Sequence, residues 1–139
     1  MPLRNVPRLP TLQKNTVRKT TGFNTTSTSF VNVTDLVITF TTGARRVLLT
    51  ASYRINNAST DLSATTFTVD GTNVGDATLG LATHETPTAV INQTITFVTD
   101  VLTAASHTFR VQLVNINTGT FNVTIEGTPT CVFSAIELL

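Results

Sequence analysis

The last quarter of the chain alternates apolar and polar residues with a period of two. The runs 109–113 (FRVQL) and 121–126 (FNVTIE) both follow this pattern. Because successive side chains of a strand point to opposite faces, the pattern predicts strands with one buried and one wetter face. The next run, 130–139 (TCVFSAIELL), is apolar on both faces. We therefore predict three successive strands, the last of which is central in a sheet or covered by another surface.

Shorter runs with the same alternation occur earlier, at residues 35–42, 46–55, 64–69 and 89–99. Turn-forming residues separate them, and Asp70-Gly71 is a typical hairpin signal. Threonine, which is β-branched and suits a pleated surface, makes up 31 of the 139 residues. About eight or nine short strands at this spacing predict one all-β domain, an antiparallel sandwich or barrel.

The N-terminal segment differs from the rest of the chain in charge and in backbone freedom. Residues 1–34 contain five basic and no acidic residues, whereas residues 35–139 contain four basic and eight acidic residues. Proline at positions 2, 7 and 10 removes backbone donors and keeps the preceding residues extended. We predict an extended basic arm over residues 1–22 and a β-sandwich over residues 23–139. The alternative is a frayed basic terminus.

The predicted arm combines apolar and cationic side chains, and a disordered linker holds fewer apolar residues than this. We expect the arm to become ordered on another protein, with its apolar residues in grooves and its cations paired with carboxylates. The candidate partner-binding residues are Leu3, Arg4, Val6, Arg8, Leu9, Leu12, Lys14, Arg18 and Lys19. A contact with nucleic-acid phosphates remains open. However, no aromatic residue precedes Phe23 to stack on bases.

Residues that could support catalysis or bind a metal are few and scattered. His84 and His107 have no cysteine, aspartate or second histidine at a metal-ligand spacing. The pair His84-Glu85 falls in a predicted exposed connection over 80–88. The single cysteine, Cys131, lies within a strand pattern and is predicted to be a core residue. We predict no enzymatic activity, no cofactor and no metal site.

The sequence contains no signal for a membrane. No apolar run approaches the roughly 18–20 residues of a membrane-spanning helix. The N-terminus also lacks the apolar core of a secretory signal. We therefore expect no export and no membrane partner.

Four segments resemble the small jelly-roll domains of tailed-phage virion proteins: RVLLTASYRI (46–55), TTFTVDG (65–71), SHTFRVQL (106–113) and FSAIELL (133–139). In such domains a hairpin strand is followed by a strand that ends in Val-Asp-Gly. A strand that begins with His-Thr comes later, and a final strand closes the sheet near a three-fold axis. The resemblance, over residues 35–139, implies an all-β, jelly-roll-like antiparallel β-sandwich or barrel, and the residues before it supply the extended N-terminal arm. It also implies a homotrimer.

The resemblance leaves two functions open. In the first, the protein is made in the host cytoplasm and decorates or cements the virion head, with its arm bound to the major capsid protein or another virion protein. In the second, it is a tail-fibre head module whose loops at 56–63 and 80–88 contact a host glycan or protein. The first is favoured because those loops lack aromatic residues. The closing strand is expected to meet another copy, through an oligomer interface at Val132, Ile136, Leu138 and Leu139.

Overall fold

The computed structural model describes residues 11–57, 62–85, 90–116, 123–127 and 131–139. Every regular element in these ranges is a β-strand, as predicted for an all-β protein. The strands are β1 (Lys14–Lys19), β2 (Phe23–Thr25), β3 (Val31–Thr41), β4 (Val47–Asn57), β5 (Leu62–Val69), β6 (Thr72–Asn73), β7 (Ala82–Glu85), β8 (Val90–Val98), β9 (Ser106–Asn115), β10 (Val123–Glu126) and β11 (Cys131–Glu137).

The two antiparallel sheets have the strand order of a jelly roll. One runs β1-β11-β4-β8 and the other runs β3-β9-β5-β7. The pairs β1 with β11, β3 with β9, β4 with β8 and β5 with β7 are nested along the chain. This nesting of hairpin-like pairs confirms the predicted fold. The short strands are additions: β10 follows β11 along one edge of β4, β2 pairs with β10, and β6 pairs with β5.

The core lies between the two sheets. Phe67 of β5 and Phe133 of β11 are fully buried and stack with their ring centroids 5.5 Å apart. Each phenylalanine belongs to a set of residues that face the core from every second position of its strand. The period of two in the sequence therefore indicates which face of the strand is buried. Strand β11 lies between β1 and β4 in its sheet, which makes it an internal strand as predicted. Cys131 is fully buried there, as its position in the pattern suggested.

The predicted turn at Asp70-Gly71 forms as expected. The backbone φ angles are 51° at Asp70 and 86° at Gly71, the left-handed pair that a two-residue hairpin turn requires. The returning strand β6 is short and ends at Asn73. Beyond it, the chain leaves the edge of β5 and returns to it as β7.

The prediction of an exposed connection over 80–88 is wrong for its described part. Residues 82–85 form β7, which pairs with Leu62–Thr65 of β5. His84 is buried rather than exposed. The sequence of β7, Ala-Thr-His-Glu, has too little apolar alternation to indicate a strand, and its register comes from β5.

The sandwich begins before the boundary that the sequence suggested. Strand β1 lies within the segment assigned to the arm and pairs along its whole length with β11. Val17 packs against the core, whereas Lys14, Thr16 and Arg18 are exposed. Part of the predicted arm is thus a strand of the body.

A buried carboxylate fixes the start of β1. Glu137, only 2% exposed, accepts hydrogen bonds from the backbone N–H groups of Gln13 (2.9 Å) and Gly43 (2.6 Å). Its Oε2 lies 3.6 Å from a guanidinium nitrogen of Arg45. Burial alone would raise the pKa of Glu137, but the two N–H donors and Arg45 together lower it. Glu137 therefore joins the N-terminal segment, the β3–β4 turn and the last strand.

We expect Glu137→Ala to lower the free energy of unfolding by about 2–3 kcal/mol, because it leaves two backbone donors and Arg45 without their acceptor. The matched control is Glu126→Ala. Glu126 pairs with Arg54 at 3.1 Å, but both side chains are partly exposed, so its loss should cost less than about 1 kcal/mol. Urea unfolding measures both. Equal losses for the two variants would contradict the assigned role of Glu137.

Candidate interaction surface

One face of the β1-β11-β4-β8 sheet points away from the core, and we call it the outer face. Its residues alternate with buried residues along each strand. They are Lys14, Thr16 and Arg18 of β1; Val132, Ser134 and Ile136 of β11; Leu48, Thr50, Ser52 and Arg54 of β4; and Asn92, Thr94, Thr96 and Val98 of β8.

The strand registers align these side chains in rows. Ile136, Leu48 and Val98 form an aliphatic row that begins at Lys14, and Thr16, Ser134, Thr50 and Thr96 form a hydroxyl row next to it. The hydroxyls of Thr16 and Ser134 are 3.0 Å apart. Such cross-strand pairs stabilise a sheet and also fix the side-chain positions. The outer face therefore offers ordered hydroxyl and aliphatic groups to a partner.

The cations at the β1 edge of this face have no ion pair among the described residues. Lys14 lies opposite Ile136 and Arg18 lies opposite Val132 in the antiparallel register. Both cations are exposed. The structure thus brings two predicted arm residues beside two predicted oligomer-interface residues, which the sequence alone did not place together.

Lys19, the third basic residue of β1, lies in a different environment from Lys14 and Arg18. It faces inward, is 4% exposed, and its Nζ donates to Asp35 Oδ2 at 3.2 Å and to Thr21 Oγ1 at 3.1 Å. Asp35 has a left-handed backbone, with φ of 68°, at the irregularity in the register of β3. Lys19 therefore pairs within its own chain.

The other predicted residues lie elsewhere. Leu3, Arg4, Val6, Arg8 and Leu9 fall outside the described residues. Leu12 is exposed just before β1. Leu138 follows β11, where its N–H donates to the carbonyl of Arg46, and Leu139 is 87% exposed. The predicted oligomer interface is thus divided between the outer face and the end of the last strand.

A buried polar cluster connects the two sheets beneath β8. The hydroxyl of Tyr53 on β4 donates to Gln93 Oε1 on β8 at 2.6 Å and also contacts the hydroxyl of Thr65 on β5. His84 Nε2 on β7 contacts the same Gln93 oxygen. Burial raises the pKa of Tyr53 and lowers the pKa of His84, so both groups are held neutral. No pattern in the sequence indicates this cluster, because its members come from four strands.

The second histidine forms an ion pair at one end of the sandwich. His107 Nδ1 donates to Asp70 Oδ2 at 2.6 Å, and its Nε2 donates to the carbonyl of Thr103 at 3.0 Å. The bond to Asp70 raises the pKa of His107. The N–H of Thr108, which donates to Asp70 Oδ1 at 2.8 Å, is the main cause that lowers the pKa of Asp70. Both groups hold a turn against a strand.

The metal-ligating side chains in the part of the chain that the structure describes are dispersed over the fold. Within it, no three histidine, cysteine, aspartate or glutamate side chains are grouped so as to hold a metal ion. Burial raises the pKa of the Cys131 thiol, which keeps it protonated. The described residues also form no helix long and apolar enough to cross a membrane.

Two of the cavities are lined by residues that the structure describes. One, of about 220 Å³, lies over the outer side of the other sheet; Thr28, Ser29, Phe30, Ala77, Thr78, Val114 and Ile116 line it. The other, of about 360 Å³, is an open groove between β8 and the β5–β6 hairpin. Its lining is Val69, Thr72, Val74, Phe97, Thr99, Asp100 and Leu102. Its walls are mainly apolar, and no described side chain offers chemistry there beyond the Asp100 carboxylate.

Comparison with known proteins finds likeness in structure only. No protein-family model and no curated protein matches the sequence. The CBM36-1 domain of a multidomain xylanase from the hindgut metagenome of Trinervitermes trinervoides is 11% identical with a TM-score of 0.42, covering 91% of this chain and 98% of that domain. A chain from the structure of infectious bursal disease virus, Gx strain, is 11% identical with a TM-score of 0.46, covering 92% of this chain and 37% of the viral chain. Both likenesses concern the fold and carry no argument about function.

The Asp70–His107 pair predicts a specific pH dependence of stability. The raised pKa of His107 stabilises the fold fully below the unfolded value of about 6.5, and this contribution is lost as pH rises through the higher folded pKa. The lowered pKa of Asp70 stabilises above about 3.9 and is lost as pH falls through the lower folded pKa. We expect Asp70→Asn, which keeps the left-handed turn, to lower Tm more at pH 5.5 than at pH 9.

Circular dichroism melts from pH 5 to 9 test this dependence. The matched control is Asp76→Asn, whose carboxylate accepts from the N–H groups of Thr78 and Leu79 and has no histidine partner. Its effect on Tm should stay constant between pH 5.5 and 9. A deficit in Asp70→Asn that does not change over this range would contradict the ion pair.

Proposed function

We propose that this chain is a non-enzymatic structural protein of a bacteriophage particle, which decorates or cements the head as a homotrimer. Its N-terminal residues and the β1 edge of the outer face bind the major capsid protein or another protein of the shell. The phage origin and the trimer come from the resemblance of residues 35–139 to small virion jelly-roll domains, and the head location comes from the lack of aromatic residues in the loops at 56–63 and 80–88. The structure supplies the surface through which such a protein would bind.

The observation that supports this proposal most directly is the pairing of unneutralised charge with apolar surface at one edge. Lys14 and Arg18 are exposed and lack an ion pair among the described residues, and each lies beside a half-buried aliphatic residue. A partner that fits carries carboxylates opposite β1 and apolar side chains opposite the aliphatic row. Because exposed ion pairs are screened by salt, binding should weaken as ionic strength rises.

Fewer residues are proposed to bind the partner than the sequence analysis predicted. Lys19 is buried and paired with Asp35, so it is left out of the proposed contact. Lys14, Arg18 and Leu12 remain available next to the residues that precede β1. The proposal for Leu3, Arg4, Val6, Arg8 and Leu9 stands as a prediction from the sequence.

The proposed absence of catalysis is supported by how the titratable groups are used. His84 and His107 make contacts that join elements of the fold, and Glu137 accepts from backbone donors. The receptor-binding alternative lacks a comparable supporting feature. Among the described residues, no aromatic side chain is fully exposed at a loop.

Charge reversal at β1 tests the proposed contact. We expect Lys14→Glu/Arg18→Glu to fold normally and to lose at least tenfold in affinity for shells of the phage that encodes the chain, because the two introduced glutamates would face the partner's carboxylates as like charges. The matched control is Arg110→Glu, which lies on the solvent side of β9 in the opposite sheet, between Val37 and Thr68. Co-sedimentation with shells at two salt concentrations measures binding.

Labelling of the particle separates the proposal from its alternative. Antibody-gold electron microscopy should place the protein over the head. Label confined to the tail tip would reject decoration and favour the receptor-binding module. Undiminished shell binding by the double variant would reject the β1 contact while leaving the head location to the label.

A further inference from the structure

In the described part of the chain, strand β8 is an edge strand of the sandwich. Among the described strands it pairs with β4 alone. The N–H of Thr99 donates to the carbonyl of Val47 at 3.0 Å, which fixes the alternation of the antiparallel ladder. Odd-numbered residues of β8 therefore bond to β4. The backbone N–H and C=O groups of the even-numbered residues, from Val90 to Val98, point to the free side.

This edge lacks the protection that the other edge of the same sheet has. Strand β1 carries Lys14, Arg18 and Lys19, and charges on an edge strand discourage pairing with another chain. Strand β8, Val-Ile-Asn-Gln-Thr-Ile-Thr-Phe-Val, has no charged residue and no proline over nine residues. Its two ends are apolar and exposed, with Val90 at 36% and Val98 at 42%, and the adjacent Val101 is 61% exposed. An edge of this kind is a template for a further strand.

The sequence of β8 is close to a palindrome in chemical character about Thr94. Val90 and Val98 each lie four positions from Thr94, one on either side. The next pairs inward are Ile91 with Phe97, Asn92 with Thr96, and Gln93 with Ile95. In an antiparallel pair of identical strands centred on this residue, each side chain would meet one of matching type, apart from the pair of Gln93 and Ile95.

We propose that β8 pairs with β8 of a second copy of this chain, antiparallel and about a two-fold axis at Thr94. The even-numbered residues, whose backbone groups are free, then form the hydrogen-bonded pairs, so the register uses the open donors and acceptors. Val90 of one copy meets Val98 of the other, which buries both exposed apolar ends. The interface is isologous and closes after two copies.

The apolar groove between β8 and the β5–β6 hairpin also favours a second copy of the chain as the partner of β8. Phe97 lines the groove, together with Val69 and Leu102. In the proposed register, Ile91 of the second copy lies beside Phe97 on the inner side of the extended sheet. The second copy therefore adds apolar contacts to the groove as well as backbone pairing.

Pairing of β8 with β1 of another copy is less favourable. That arrangement places Lys14 and Arg18 against a strand that has no acidic residue to receive them. It is also heterologous and does not close by itself. The two-fold pairing is separate from shell binding, since it uses the opposite edge of the sheet.

Proline substitution at matched positions tests the pairing. Thr94→Pro removes a free edge N–H at the proposed axis and should halve the particle mass in solution, whether the parent contains two copies or two trimers. The control is Thr16→Pro at the centre of the β1 edge. Its N–H also points outward, because Glu137 donates to the carbonyl of Gln13 and sets the alternation. This control should keep the parent mass. Sedimentation equilibrium across a concentration series measures the mass.

Cysteine cross-linking tests the register without depending on proline being tolerated. In the proposed pair, residue 94 of each copy lies opposite itself, at a Cα separation of about 5.5 Å that a disulfide can bridge. Thr94→Cys should give a covalent dimer on oxidation. Asn92→Cys should not, because it faces residue 96, whereas Asn92→Cys/Thr96→Cys should. Cys131 is fully buried and should stay unreacted.

Several results would overturn the proposal. A monomeric parent protein would do so, as would an unchanged mass in a folded Thr94→Pro variant or an equal loss of mass in Thr16→Pro. Cross-linking of Asn92→Cys as efficient as that of Thr94→Cys would reject the register. Capture of a different protein at residue 94, without self-cross-linking, would reject a second copy as the occupant.

Discussion

The pairing of the first strand with the last is the constraint on which the rest of the structure depends. The hydrogen bond from the N–H of Gln13 to Glu137 joins residues 124 positions apart. The other three main strand pairs are nested inside this one, so the pairing of β1 with β11 closes the longest loop among the main strand pairs. Closing such loops costs conformational entropy, which makes non-local β-folds slow to form. The bonds from Gln13 and Gly43 to the buried Glu137 carboxylate offset part of this cost.

The same closure determines which charges of the N-terminal segment can act on a partner. Because successive side chains of β1 alternate between faces, Val17 and Lys19 turn inward while Lys14 and Arg18 turn outward. Lys19 is neutralised by Asp35, and the exposed pair remains on the outer face. The pleat of β1 therefore separates its basic residues. Lys19 has a structural role within the chain, whereas Lys14 and Arg18 are available to a partner.

Most of the fold could be predicted from the sequence, because alternation marks a strand wherever one face is packed and apolar. Strands β3, β4, β5, β8, β9, β10 and β11 all carry this signal. Strand β1 was missed because Val17 is its only apolar residue, and its ladder is supplied by β11. Strand β7 was missed because His84 is buried through polar contacts rather than apolar ones. The outer face required the registers between strands, which a single sequence does not contain.

The contrast between the two outermost strands of this sheet limits how large an assembly can become. If two copies join through their β8 edges, the outermost strands of the combined sheet are β1, which carries lysine and arginine, and the three-residue β2. Repulsion between charged β1 strands then opposes further lateral growth, and β2 offers only three residues for pairing, so this arrangement disfavours fibrils. The charged β1 edge and the uncharged β8 edge thus let the sheet extend at one margin and discourage extension at the other.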